Sequence, residues 1–117
     1  MTTSAILIAN IFSNLPQELP EELFETLAQS PAVRIERILS QGHATADGQW
    51  FDQERDEWVL LLSGSAGLHF EGETAPRSLA AGDFVLIPTH CRHRVAWTDQ
   101  QVQSVWLAVH FPGETTL

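Results

Sequence analysis

The stretch Gly82-Asp83-Phe84-Val85-Leu86-Ile87-Pro88-Thr89-His90-Cys91-Arg92-His93 decides the fold. Its four apolar residues, Phe84 to Ile87, follow the turn Ala81-Gly82-Asp83 and stop at Pro88. A short apolar run between glycine and proline reads as a strand. It is too short for a helix, and proline cannot donate to the next rung of a ladder. The pattern repeats on both sides. Downstream, residues 94–98 and 104–111 read as strands. Upstream, Trp58-Val59-Leu60-Leu61-Leu62 is the continuous apolar run expected of a strand buried on both faces. It places Glu57, Val59 and Leu61 on one side and Trp58, Leu60 and Leu62 on the other. Ser63-Gly64 turns the chain, and Ala66, Leu68 and Phe70 then alternate with polar or small residues up to Glu71-Gly72-Glu73. Residues 33–39 form one more strand, with Val33 and Ile35 on one face and Arg34 and Glu36 on the other.

Short strands at roughly ten-residue spacing, joined by glycine and proline turns, predict an all-β sandwich or barrel. A parallel α/β sheet needs helices between its strands, and no helical pattern follows residue 30. Before that point, Pro20 to Ala28 predicts a single short helix. Proline suits a first turn, Glu21 and Glu22 complement the helix dipole, and Leu23, Phe24 and Leu27 make an apolar stripe. The expected organisation is an N-terminal arm and helix over 1–32 and a barrel domain over 33–117.

At 117 residues the chain is one domain long, and 44% hydrophobic residues suffice for a core. The net charge is −9, and all six basic residues are arginine. Without lysine there is no Schiff-base chemistry and no P-loop lysine. The acidity argues against nucleic-acid partners, whose binding rests on neutralising phosphates. The one cysteine, Cys91, permits no internal disulfide, so a reducing cytoplasm is the expected location. The apolar run 5–9 lacks a basic leader region and is too short to span a bilayer, so no membrane association is expected.

Two spaced motifs in this β pattern resemble the cupin family. Glu57 followed by Gly64 is similar to the second half of the first cupin motif. Gly82, Pro88 and His93 are spaced as in the second motif. The resemblance covers roughly residues 33–111 and implies an RmlC-like jelly-roll β-barrel. The subgroup it points to consists of small single-domain cupins of unassigned activity. Metal sites of the wider family take three histidines and one glutamate, all pointing into the barrel. Two of those histidines precede the glutamate, and here their positions fall on Trp50 and Asp52 or on Phe51 and Gln53. The glycine expected two residues after Pro88 is His90.

The resemblance therefore implies a divalent ion on Glu57 and His93, with Asp52 in place of a missing histidine and His110 or His90 as a fourth ligand. Carboxylate and imidazole ligands do not choose among zinc, nickel, manganese and iron. Trp50, Gln53 and Trp97 are candidates for the ligand pocket. Two functions stay open. One is a metal-dependent oxygenase or isomerase acting on a small polar molecule. The other is a non-catalytic small-ligand-binding or regulatory cupin without metal. A homodimer is expected, because the Trp58-Leu60-Leu62 face needs a cover and two-fold pairs are the commonest assembly.

Overall fold

Residues 5–113 are described by the computed structural model, and among them eight strands form and no helix does. The strands are β1 Leu23–Gln29, β2 Arg34–Ser40, β3 Asp56–Ser63, β4 Ser65–Phe70, β5 Arg77–Ala80, β6 Phe84–Ile87, β7 His93–Thr98 and β8 Ser104–Phe111. A five-stranded sheet runs β1-β2-β8-β3-β6, and a three-stranded sheet runs β5-β4-β7. Their inner faces pack together through Ile38, Val59, Leu61 and Trp106 from the first sheet and Leu68 and Leu79 from the second. None of the described bridges joins the two sheets edge to edge, so the expected barrel is an open jelly roll of two sheets. At one corner the chain passes between them by paired backbone bonds, Gly82 N to Leu61 O and Leu61 N to Asp83 O. At Gly64, between β3 and β4, φ is +82°, and a Cβ there would lie 2.7 Å from the Ser104 backbone. Only glycine fits this position.

The expected helix over 20–28 is instead β1. Its residues pair antiparallel with β2, from Leu23 opposite Leu39 to Gln29 opposite Arg34, with a bulge at Leu27. A nine-residue helix is marginal alone, whereas the open edge of β2 offers a full set of backbone partners. Glu22, one of the two glutamates that suggest a helix start, and Glu25 serve the sheet instead: Ser40 donates to Glu22 (2.6 Å), and Arg37 donates through both Nε and Nη2 to Glu25.

Of the two faces of β2, the one that carries Arg34 and Glu36 is the inner one. Arg34, Glu36 and Ile38 are in register with His110, Ala108 and Trp106 and line the interior. Arg37 and Leu39 are buried on the outer face. There the Arg37 guanidinium donates to the carbonyls of Ile11 and Ser13, which fastens the N-terminal arm across the sheet. The β3 face formed by Trp58, Leu60 and Leu62 is only half-buried, so that strand is dry on one side rather than two.

Candidate functional site

Register across the five-stranded sheet builds the site in rows. Arg34, His110, Glu57 and Ile87 are successive partners on β2, β8, β3 and β6. The next row inward is Glu36, Ala108, Val59 and Val85, and the third is Ile38, Trp106 and Leu61. Because inward positions recur every second residue, charge is concentrated at one end of the interior and apolar surface at the other. A cavity of about 180 Å³ lies over these rows. His93, Val95 and Leu68 close it from the second sheet, and Phe51 and Gln53 from the long loop before β3.

Backbone pairing sets which loop residues enter the cavity. Phe51 and His93 exchange N–H···O bonds of 2.7 and 3.1 Å, and His90 N donates to Gln53 O at 2.8 Å. Asp56, itself buried, accepts from the Thr89 backbone and hydroxyl at 2.7 and 2.8 Å and so anchors the turn before β7. In this extended pairing Phe51 and Gln53 line the cavity. Asp52, between them, stands outside at 48% exposure and pairs with His90 at 2.7 Å, itself 63% exposed.

Two carboxylate–imidazole pairs line the cavity. Glu57 Oε1 and His93 Nε2 are 3.7 Å apart, both nearly sealed from solvent. His93 Nδ1 donates to the Cys91 carbonyl at 2.8 Å, which turns Nε2 toward Glu57. Burial pulls the His93 pKa down, but the Glu57 carboxylate and the Cys91 carbonyl outweigh it and hold the imidazole above its ordinary value. Across the sheet, His110 Nε2 bonds Glu36 Oε1 at 2.8 Å, and Arg34 Nε approaches the other Glu36 oxygen at 3.6 Å.

Of the expected metal ligands, Glu57, His93 and His110 reach the cavity, while Asp52 and His90 form a separate surface pair. Among the described residues no group of three or more His, Cys, Asp or Glu side chains is placed to hold a metal ion. The two inward loop positions carry a phenyl ring and a neutral amide, and His110 is occupied by Glu36. Glu36, Glu57, His93 and His110 all border the cavity, but they stand as two separate pairs, Glu57–His93 and Glu36–His110, rather than converging on one point.

Of the expected pocket residues, Gln53 lines the cavity and Trp50 and Trp97 do not. Trp50 lies against His69 and Arg92. Trp97 shares strand parity with His93 and Val95, but a bulge at Ala96 pairs Val95 with Leu68 and Trp97 with the adjacent Gly67. One extra residue reverses parity, and the Trp97 ring covers the bare Gly67 backbone instead. Arg34 and Glu36 line the cavity without any signal for it in the motifs. The signal for Glu36 is its parity with Ile38, which reads correctly only once the arm is known to cover the other face of β2.

No helix among the described residues is long and apolar enough to cross a membrane. No curated protein matches the chain. A solved structure from Ralstonia eutropha JMP134, provisionally named a mannose-6-phosphate isomerase, is 47% identical. The similarity covers 92% of this chain and 100% of that one, with a TM-score of 0.89. A cupin superfamily protein from Desulfitobacterium hafniense is 20% identical over 84% of each chain, with a TM-score of 0.68. An RmlC-like cupin from Methanocaldococcus jannaschii is 16% identical over 85% of this chain and 87% of that one, with a TM-score of 0.66. These two share the fold. With the cupin-domain family model matching residues 39–110, over rows and motifs that agree with it, the chain belongs to the cupin domain family.

Proposed function

We propose that this cupin holds a small polar molecule in its interior through its own side chains, without a resident metal. The observation that carries this reading is the cavity itself. It is partly enclosed, apolar at one end, and lined at the other by Glu57–His93 and Glu36–His110. Few polar groups converging in an apolar pocket are the usual form of a small-molecule site. A volume of about 180 Å³, open on one side, suits a small molecule. A thermal-shift screen with polyols, sugars, hydroxy acids and sugar phosphates tests the reading. Binding by the parent that Glu57→Gln and His93→Ala weaken supports it, and binding that both variants leave intact refutes it.

A second reading, an isomerase, is favoured by the name of the Ralstonia protein and by the Glu57–His93 pair. Moving a proton between neighbouring carbons of a hydroxy-carbonyl compound needs one group to take it and one to return it. Glu57 supplies a carboxylate and His93 an imidazole held above its ordinary pKa. Deuterium uptake from solvent into a sugar carbon, lost in Glu57→Gln, is the measurement for this reading.

We also propose that the protein is a homodimer. Ile6, Leu7 and Ile8 are 92%, 88% and 96% exposed, and Trp58 and Phe84 stack on the outer face of the larger sheet at 5.4 Å. An apolar arm and an apolar face on one chain suit reciprocal cover by a second copy.

A further inference from the structure

Glu57 Oε1 and His93 Nε2 stand 3.7 Å apart on side chains that are 10% and 6% exposed, and both residues border the cavity. That gap is beyond ordinary hydrogen-bond reach, and no other donor meets the Glu57 carboxylate among the described residues. The imidazole is held in place by its neighbours. Its Nδ1 donates to the Cys91 carbonyl, and the Phe51 and Phe70 rings lie 5.6 and 6.3 Å from its own. A neutral imidazole with its proton on Nδ1 offers a lone pair at Nε2. The cavity therefore presents two acceptors, one from each sheet, close enough for a single donor atom to reach both.

Resting on the small-molecule reading above, we propose that the occupant is a small organic cation whose protonated primary amine donates to Glu57 and His93 together. A hydroxyl has one hydrogen and answers only one of two acceptors. An ammonium group carries three N–H donors and no acceptor. Charge agrees when every ionisable group on the wall is counted. Glu22, Glu36 and Glu57 stand against Arg34, His93 and His110. Arg34 and His110 both face Glu36, at 3.6 and 2.8 Å. With both imidazoles protonated the charges balance, and with both neutral three carboxylates oppose one guanidinium. In neither state is the wall positive, so its net charge never favours an anion and favours a cation once an imidazole is neutral. Ile38, Val59 and Leu68 wall the apolar end, a surface for a short carbon frame.

The test is calorimetric titration of the parent with four molecules built on one three-carbon frame: 3-amino-1-propanol, its N-trimethyl form, 1,3-propanediol and 3-hydroxypropanoate. They differ at one end, which is an ammonium, a quaternary ammonium without N–H, a hydroxyl or a carboxylate. The amine should bind saturably and roughly tenfold more tightly than the other three, and Glu57→Gln, which keeps the side-chain size, should weaken it by about as much. A second arm needs no variant. Protonated His93 competes with the amine for Glu57, so the parent's affinity should rise from pH 6 to pH 8, a range over which the amine stays protonated. Equal or tighter binding of the trimethyl form, the diol or the carboxylate overturns the inference while the small-molecule reading stands. So does binding of a polyol or hydroxy acid with none of the amine. An amine affinity that is flat or falls with rising pH, or that Glu57→Gln leaves unchanged, overturns the inference as well. If nothing in this set or in the earlier screen binds, both fall.

Discussion

Glu57 and His93 face each other at 3.7 Å from opposite sheets, the carboxylate on β3 and the imidazole on β7. The two residues are those on which both family motifs converge, and they join the sheets at the polar end of the interior. Their environment lets each compensate the other's charge.

Removing one member leaves the other uncompensated. His93→Ala should destabilise the fold by about 3 kcal/mol, because the buried Glu57 loses its partner. For a chain of this size the melting temperature should fall by about 10 °C. Calorimetry near pH 6 checks this, and a change of under about 2 °C would show that the pair carries no charge compensation.

The pH dependence has a definite sign. The folded-state pKa of His93 is raised, so the pair's contribution is fully present below the ordinary histidine value of about 6.5. It is lost as pH rises through the folded value. The stability advantage of the parent over His93→Gln should therefore be largest at the acid side of that window and shrink above it. An advantage that grows from pH 6 to pH 8 contradicts this assignment.

At His90 the backbone, rather than the site, explains the residue. Its φ is +58°, the left-handed region, at the position where the family motif carries glycine. The Asp52–His90 pair is exposed and contributes at most about 1 kcal/mol. His90→Gly should match or exceed the parent in melting temperature, and His90→Ala should be about 1 kcal/mol less stable than His90→Gly, by chemical denaturation. Equal stability of the two variants refutes the strain account.

Much of the architecture was legible because period-two alternation and glycine and proline turns are local signals. The strand Phe84–Ile87, the strand Ser104–Phe111 and the turn at Gly64 follow from them. The missing first-motif histidines were legible too. What local pattern did not carry is non-local. β1 takes its conformation from the edge of β2, Trp97 from a bulge at Ala96, and the inward face of β2 from an arm gripped by Arg37. Asp52 differs from Gln53 only by one step of parity, which the pairing of Phe51 with His93 decides.

The dimer has its own test. Light scattering at micromolar concentration should give twice the chain mass. Deleting residues 1–9, which include the exposed Ile6, Leu7 and Ile8, should weaken association at least tenfold. A monomer for the full chain refutes the proposed assembly.

The central claim is that the cavity works through its own side chains rather than through a resident ion. Elemental analysis of protein purified without an affinity tag, paired with melting curves in added zinc, nickel, manganese or iron(II), tests it most directly. The account predicts well under one metal per several chains and an unchanged melting temperature. One metal per chain, lost together with metal-induced stabilisation in His93→Ala, would contradict it.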